Sequence, residues 1–335
     1  MKYLVTGGAG FIGSHLCEYL LDQGNRVHAV DNLSTGRLEN VEHLADHPRF
    51  TLSIDSILNP FLMERLVQEA DVVFHLAAAV GVKLIIERPV STIETNIQGT
   101  EVVLRLASRH GRKVVITSTS EVYGKNNKLP FTEDDDCTYG STTIGRWSYA
   151  YSKALDEFMA LAYRQETRLP VVISRLFNTV GPRQTGRYGM VIPRFIRQAL
   201  LGEPITVYGN GKQSRSFTYV GDVVKALVDL SEVDAAEGGV FNVGNDERVT
   251  IEGLAQKVKL MTGSRSRIEY IPYEKAYSAN YEDMMHRLPS LKKINAVIGY
   301  RPTMNLESIL RTVIDHMGRD LNRAQGAATG RALIS

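Results

Sequence analysis

Strand-length apolar runs alternate with helix-length amphipathic segments through the first half of the chain. The runs are KYLVT, RVHAVD, ADVVFHLAA, KVVITST and LPVVISRLFN, and each of the gaps between them can hold a helix. Strands that are apolar throughout are buried on both faces, as in a parallel sheet covered by helices on each side. The pattern therefore predicts an α/β fold, a Rossmann-type doubly wound parallel sheet.

The pattern changes after Asn178, where Gly- and Arg-rich loops flank a single helix. We predict that residues 1–177 form a dinucleotide-binding domain, to which a strand and a helix near 220–245 contribute. Residues 178–320 are expected to form mainly a smaller C-terminal α/β domain that binds substrate. Residues 321–335 have small side chains without periodicity, and we expect them to be a mobile tail.

Composition narrows the class of protein. With 335 residues, 43% apolar residues and a formal charge of +2, the chain has the balance of a soluble globular protein, and we expect no nucleic-acid partner. No stretch approaches the roughly 20 apolar residues of a membrane span. Cys17 and Cys137 are too few for a disulfide framework, which favours the cytoplasm. His43 and His47 have a metal-binding spacing but no third ligand, so no metal is expected.

The stretch TGGAGFIG places Gly7, Gly10 and Gly13 between a predicted strand and a predicted helix. The glycines permit a tight turn, close approach to a pyrophosphate and close packing of helix on strand, which is the dinucleotide-binding fingerprint. Asp31 ends the next strand and can accept hydrogen bonds from both ribose hydroxyls, which favours NAD over NADP. Arg37 lies nearby and leaves NADP open.

The stretch YAYSK places Tyr149 and Lys153 on one face of a predicted helix. A phenol is a poor base at neutral pH, but an adjacent ammonium and a positive nicotinamide ring would lower its pKa. The pair follows the fingerprint and a strand end that carries hydroxyl groups, and this order makes a Tyr–Lys catalytic pair a strong hypothesis. Tyr151 is expected to point elsewhere.

The order of these motifs resembles that of the extended short-chain dehydrogenases/reductases, specifically nucleotide-sugar epimerases, dehydratases and decarboxylases. The fingerprint is followed by DNLSTG, HLAA, TSTSEVYG, YAYSK, RLFNTVGPR and GNGKQSRSFTYVGD, over nearly the whole chain. The resemblance implies tightly held NAD that oxidises C4 of the sugar and later returns the hydride. It also implies a homodimer, paired through helices near 97–110 and 148–166.

The same resemblance implies the residues of the site. The implied cofactor contacts are Gly7, Gly10, Phe11, Ile12, Gly13, Asp31, Asn32, Asp55, Ser56, Leu76, Ala77, Ala78, Asn96, Tyr149 and Lys153. The implied catalytic residues are Thr119, Ser120, Glu121, Tyr149 and Lys153, with Tyr149 as the base at O4. The implied substrate contacts are Lys83, Thr119, Glu121, Asn178, Arg183 and Arg215, and the arginines suit a diphosphate. Lys83 can equally be a solvated surface residue.

The residues after Thr119 bear on the reaction that follows the oxidation. Sugar 4,6-dehydratases carry Asp–Glu there, whereas this chain has Ser120 and Glu121, and simple 4-epimerases usually have small or hydroxyl residues at both positions. The Ser–Glu pair resembles that of UDP-glucuronate decarboxylases, and IGRWSY with Arg146 is similar to their sequence as well.

The chemistry of a glucuronate agrees with this resemblance. Once C4 is a ketone, the carboxylate on C5 is β to it, and CO2 can leave as an enolate forms. Ser120 avoids the repulsion that an Asp would exert on the substrate carboxylate. Glu121 could then protonate C5, which requires a raised pKa, or orient a water for that step. A structural carboxylate paired with an internal arginine is the alternative.

The sequence therefore favours a NAD-dependent UDP-glucuronate decarboxylase that yields UDP-xylose. A UDP-sugar 4-epimerase is the alternative within the same family. A non-catalytic NAD-binding regulator is the alternative from another class, and the presence of Thr119, Tyr149 and Lys153 weighs against it.

Overall fold

The fold was obtained as a computed structural model, which describes residues 1–81, 85, 87–186, 189–276 and 282–332. At its centre is a seven-stranded sheet in the order β11-β6-β5-β4-β1-β2-β3, in which every pair of neighbours is parallel. Its strands in chain order are β1 Lys2–Thr6, β2 Arg26–Asp31, β3 Phe50–Ile54, β4 Val72–His75, β5 Lys113–Thr119, β6 Val171–Leu176 and β11 Val240–Val243. The predicted α/β class and the Rossmann-type sheet are confirmed.

Helices cover both faces of this sheet, as the continuous apolar strands require. Against one face, Leu16 and Leu20 of the first helix pack with Val224 and Leu227 of a later helix. The helices of the described residues are Phe11–Asp22, Pro60–Glu69, Pro89–His110, Trp147–Thr167, Val191–Leu200, Val220–Glu232, Ile251–Met261, Tyr273–Ala276, Lys292–Ile298 and Leu306–Ala332.

A separate apolar core lies in the C-terminal half. It joins Phe195, Ile205, Leu254 and Ile309, which come from three helices and a short strand. Short strands that pair in two-stranded sheets surround this core. They are β7 Thr179–Val180, β8 Ile205–Tyr208, β9 Ser214–Ser216, β10 Thr218–Tyr219, β12 Arg248–Thr250 and β13 Ile268–Ile271.

Two domain expectations can be compared with these elements. Val240–Val243 lies at the edge of the main sheet beside Val171–Leu176, where a late strand was expected. The final helix, Leu306–Ala332, includes most of the expected tail, which is therefore helical rather than irregular. The division into domains and the mobility of the tail stay predictions.

The sheet order reverses beside β1, because β2 follows it on one side and β4 lies on the other. In open α/β sheets, ligands bind at such a switch point, beyond the carboxyl ends of the strands. The glycine fingerprint follows β1 and the Leu76–Ala78 loop follows β4, so both lie at this crevice. Among the helices of the described residues, none combines the length and apolar character that a bilayer crossing requires.

Candidate active site

A cavity of about 440 Å³ extends from the glycine fingerprint to the arginine-rich loops of the C-terminal half. The predicted site residues on its wall are Gly7, Gly10, Phe11, Ile12, Gly13, Leu76, Ala78, Thr119, Ser120, Glu121, Tyr149, Asn178 and Arg215. Residues more than 200 positions apart along the chain thus share one cavity, as a dinucleotide beside a second ligand would need.

The fingerprint turn leaves no room for side chains at its glycines. Gly7 has φ +72, and a Cβ on it would lie 2.9 Å from the Ala77 nitrogen. A Cβ on Gly13 would lie 2.1 Å from the Gly7 oxygen, and one on Gly10 would lie 3.0 Å from the same atom. The helix Phe11–Asp22 begins directly after this turn, so its first N–H groups face the cavity, as a pyrophosphate site requires.

Gly13→Ala is expected to disrupt this turn, because the added methyl group would overlap the Gly7 carbonyl. Overpacking of this kind costs about 1–3 kcal/mol, so NAD affinity should fall roughly 10- to 100-fold. Gly318→Ala is the matched control, since a Cβ there meets nothing within 4 Å. Isothermal titration with NAD measures both variants, and wild-type affinity in Gly13→Ala would show that this turn does not bind the dinucleotide.

Asp31, at the end of β2, is hydrogen-bonded to the fingerprint turn. Its carboxylate accepts hydrogen bonds from the Ala9 nitrogen at 3.0 Å and the Leu33 nitrogen at 2.8 Å. Burial raises the pKa of Asp31, and these hydrogen bonds oppose the rise. A carboxylate offers about four lone-pair sites, so with a third backbone hydrogen bond, from Gly10, one remains for a ribose hydroxyl. The site fits a dinucleotide with a free 2′-hydroxyl.

The other predicted cofactor residues lie around this crevice. Asn32 accepts a hydrogen bond from the Ser34 nitrogen at 3.0 Å, and Asp55 accepts one from Ser56 at 2.6 Å. The Asn96 amide links two elements, because it accepts from the Ala79 nitrogen at 2.8 Å and donates to the Ser152 hydroxyl at 3.1 Å. Asn96 therefore connects the loop after β4 to the helix that carries Tyr149 through hydrogen bonds.

Thr119 and Tyr149 meet on the cavity wall. Thr119 ends β5, and its hydroxyl accepts a hydrogen bond from the Glu121 nitrogen at 3.2 Å. Burial, followed by the charges of Glu121 and Asp156, raises the pKa of Tyr149, while a hydrogen bond with Thr119 and the charge of Arg287 lower it. Burial and the two carboxylates outweigh the opposing groups, so the net shift of this pKa is upward. The predicted fall, which includes the charge of a bound nicotinamide ring, stays a prediction.

Lys153 lies one helical turn beyond Tyr149 and is 2% exposed. Its ammonium donates to the Asp156 carboxylate at 2.8 Å. The predicted Tyr–Lys pair is thus on one helix face, and the lysine has a carboxylate partner that sequence reasoning missed.

Glu121 has two arginine partners. Its Oε2 lies 3.0 Å from Arg146 Nη1, and its Oε1 lies 3.2 Å from Arg287 Nη2. Burial tends to raise the pKa of Glu121, but the guanidiniums of Arg146 and Arg287 outweigh it, and the net shift is downward. The expectation of a raised pKa is wrong, and Glu121 is an ionised carboxylate held between arginines.

These groups belong to a larger ion-pair cluster. Asp283 pairs with Arg215 at 3.0 Å and with Arg146 at 3.3 Å, and its pKa is lowered because the guanidiniums outweigh the effect of burial. The cluster, defined as Arg146, Arg215, Arg287, Glu121 and Asp283, holds three positive and two negative groups. All five line the cavity, so the cluster contributes one excess positive charge to the wall that also holds Thr119 and Tyr149. Such a wall suits an anionic ligand.

The remaining substrate predictions have different outcomes. Asn178 is on the cavity wall, with φ +34 and its amide donating to the Ser216 carbonyl at 2.8 Å. Arg183 is not on that wall, because it pairs with Glu18 of the first helix at 2.6 Å. Lys83 lies outside the described residues.

Sequence reasoning missed Asp283, Arg287 and Arg194. Arg194 lines the cavity with its guanidinium 3.9 Å from the centre of the Tyr208 ring. The stretch DMMHR places Asp283 and Arg287 four positions apart, a spacing that charged residues share on many surfaces. Only the fold brings these two side chains to Glu121.

Comparison with known proteins gives the family. The family model described as GDP-mannose 4,6 dehydratase matches residues 4–313. The chain belongs to this family. The predicted membership among nucleotide-sugar epimerases, dehydratases and decarboxylases is confirmed, and so is the prediction that the chain is an enzyme.

Three members of the family illustrate the similarity. A UDP-N-acetyl-alpha-D-glucosaminuronate decarboxylase of Bacillus cytotoxicus is 43% identical over 93% of this chain and 96% of its own length. UDP-glucuronic acid decarboxylase 1 of Danio rerio is 38% identical over 96% of this chain and 73% of its own length. The crystal structure of a UDP-glucuronic acid 4-epimerase of Bacillus cereus with UDP-glucuronic acid and NAD has a TM-score of 0.85 and 30% identity, covering 95% of this chain and 99% of that one.

Proposed function

We propose that this family member is a NAD-dependent decarboxylase of a UDP-linked hexuronic acid, with UDP-glucuronate as the substrate and UDP-xylose as the product. The observation that carries the proposal is the cluster of three arginines and two carboxylates beside Thr119 and Tyr149. Its excess positive charge lies where a substrate carboxylate would need a partner. The two decarboxylases described above support the same reaction.

NAD, when bound, accepts a hydride from C4 of the sugar and returns it at the end. The Gly7–Gly13 turn, Asp31 and Asp55 are the groups that would hold it. Tyr149 acts as its phenolate, which a hydrogen bond donated by Thr119 stabilises before the step, and it becomes a phenol when it takes the proton from O4 as C4 becomes a ketone. Both side chains lie on the same part of the cavity wall.

The second step uses the charge cluster. Arg146 and Arg287 neutralise Glu121 and leave net positive charge for the carboxylate on C5. The C5–C6 bond breaks and CO2 leaves, while the electron pair of that bond forms a C4–C5 double bond and the C4 ketone becomes an enolate. A proton must then reach C5. Ionised Glu121 is an acceptor, so it orients a water that supplies this proton rather than donating one itself.

A substrate panel tests the proposal. The purified protein is incubated with UDP-glucuronate, UDP-N-acetylglucosaminuronate and UDP-glucose, and products are separated by ion-exchange chromatography. CO2 release with a pentose nucleotide from UDP-glucuronate supports the proposal. Inversion at C4 without CO2 release would instead identify a 4-epimerase, the alternative that the Bacillus cereus epimerase structure favours.

The N-acetylated uronate is a second candidate substrate. It is favoured by the Bacillus cytotoxicus relative, the more similar of the two decarboxylases described above. CO2 release from this compound alone would support a decarboxylase, with the N-acetylated uronate as its substrate instead of UDP-glucuronate.

We also propose a homodimer in the cytoplasm. On the helix Trp147–Thr167, Tyr151, Leu155 and Phe158 form an exposed stripe at helical spacing, and Phe158 is 72% exposed. Val90, on the neighbouring helix Pro89–His110, is 66% exposed. Exposed apolar side chains on two neighbouring helices support pairing with a second copy. The presence of only two cysteines, neither in a disulfide, supports a reducing compartment.

Phe158→Glu is expected to convert the dimer to a monomer, because it places a charge on the most exposed residue of the stripe. Leu260→Glu is the control, since Leu260 is 81% exposed on a helix of the C-terminal core. Light scattering coupled to size-exclusion chromatography measures the mass of each. A Phe158→Glu protein of dimer mass would reject this interface.

A further inference from the structure

Asp156 is a buried carboxylate without a role in the proposed reaction. It is 0% exposed, and its Oδ2 lies 2.8 Å from the ammonium of Lys153. Tyr149, Lys153 and Asp156 occupy positions i, i+4 and i+7 of one helix, so their side chains are on one face. A buried carboxylate at this place is costly unless its charge has a partner or a task.

We infer that Asp156 is a positioning residue that orients the Lys153 ammonium and sets the pH at which Tyr149 can act as a base. An ammonium has three donors in a fixed arrangement, so holding one against Asp156 fixes the direction of the other two. The negative charge of Asp156 also offsets the positive charge that Lys153 presents to the phenol. This inference rests on the proposed function for its kinetic test, and its binding test rests on the proposed contact of Lys153 with NAD.

The surroundings allow the effect of Asp156 to be separated from its neighbours. The charged groups that face Tyr149 and Lys153 are Glu121 from the turn after β5, Arg287 from the segment after residue 282, and Asp156 from the same helix. His75 of β4 is also near Lys153, but burial and then the lysine charge lower its pKa to about 3, so it is neutral. Asp156 is therefore a carboxylate that one conservative substitution can remove while Glu121 and its arginines stay in place.

Burial of Lys153 and Asp156 supports a fixed geometry. Burial raises the pKa of Asp156. The charge and hydrogen bond of Lys153, and then the hydroxyl of Thr100, oppose this rise, the charge of Glu157 adds to it, and the net shift is upward. Thr100 in turn is 3.1 Å from His75 Nε2, and His75 Nδ1 is 2.9 Å from the Thr6 hydroxyl. Lys153 and Asp156 thus lie beside a buried polar chain of Thr100, His75 and Thr6, which ends at the strand preceding the glycine turn.

Two substitutions distinguish charge from orientation. Asp156→Asn keeps an oxygen for Lys153 but removes the charge, so NAD affinity should stay within about threefold of wild type. The acid limb of the kcat/KM profile should move downward by about half a pH unit or more, because the phenolate loses a repelling charge. Asp156→Ala removes both properties and should shift the limb similarly while weakening NAD binding about tenfold.

The matched control is Glu157→Gln. Glu157 is a buried carboxylate on the same helix, but it pairs with Arg175 at 2.7 Å rather than with Lys153. The Glu157→Gln substitution should lower the midpoint of thermal unfolding and leave the acid limb of the kcat/KM profile in place.

The measurements are the pH dependence of kcat/KM with the uronate substrate and isothermal titration with NAD for all variants. An unshifted acid limb in Asp156→Asn would overturn the charge effect. Wild-type NAD affinity in Asp156→Ala would overturn the positioning effect. If the wild-type protein decarboxylates no uronate, the proposed function fails while the NAD titrations still test Asp156.

Discussion

We expect Tyr149→Phe to lower kcat about 1000-fold, because the substitution removes the only group proposed to take the proton from O4. General acid–base catalysis contributes typically ~10²–10⁴ in rate. The phenol is not part of the Gly7–Gly13 turn, so the variant should still bind NAD. Steady-state kinetics and NAD titration measure the two properties separately.

Tyr151→Phe is the matched control for this substitution. Tyr151 lies two positions further along the same helix and is 41% exposed, and its side chain is absent from the cavity wall. The Tyr151→Phe variant should keep kcat within about twofold, because it keeps the ring in the exposed stripe and loses one hydroxyl outside the cavity. A Tyr149→Phe enzyme that kept a tenth or more of wild-type activity would rule out Tyr149 as the base.

Glu121→Gln is expected to impair both turnover and stability. The substitution leaves Arg146 and Arg287 without their shared carboxylate, in a cluster that then holds three guanidiniums and only Asp283. Removing one partner of a buried ion pair costs roughly 3–5 kcal/mol of unfolding free energy. Turnover should fall about 100-fold, because the carboxylate that orients the water at C5 is lost.

The stability effect should depend on pH in a defined direction. The pKa of Glu121 is lowered from 4.5 in the folded protein, so its ion pairs stabilise the protein above pH 4.5. That contribution disappears as the pH falls through the lowered pKa that Glu121 has in the folded protein. The difference between wild type and Glu121→Gln should therefore be largest near pH 7 and shrink below pH 4.5. Urea unfolding across this range measures it.

Glu101→Gln provides the comparison. Glu101 forms an exposed helical pair with Arg105, and such pairs contribute less than about 1 kcal/mol. A Glu121→Gln protein as stable and active as Glu101→Gln would show that the arginine cluster has no role in catalysis or folding.

The sequence predicted those parts of the site that depend on local spacing. The glycine turn, Asp31 and the Tyr149–Lys153 pair each lie within one supersecondary unit, so strand and helix periodicity is enough to bring them together. Thr119 followed from its place at the end of an apolar strand. The fold class followed from the same periodicity, because strands without polar positions must be buried on both faces.

Groups that meet only through the tertiary fold were not predictable in this way. Arg146 and Asp283 are 137 positions apart, and nothing in their local sequences links them. The pKa of Glu121 depends on arginines from two separate segments, so the raised pKa that proton donation would require is not found, and the alternative of a carboxylate paired with an internal arginine agrees with the structure. Arg183 was expected at the substrate, but Glu18 of the first helix competes for it.

The most direct test of the central claim is the fate of the C6 carbon. UDP-glucuronate labelled with carbon-13 at C6 is incubated with the enzyme in D2O and followed by NMR. Decarboxylation predicts that the label leaves as CO2 and bicarbonate, while one deuteron appears at C5 of a UDP-pentose. Label retained in a hexuronate nucleotide with inverted C4 would contradict the account.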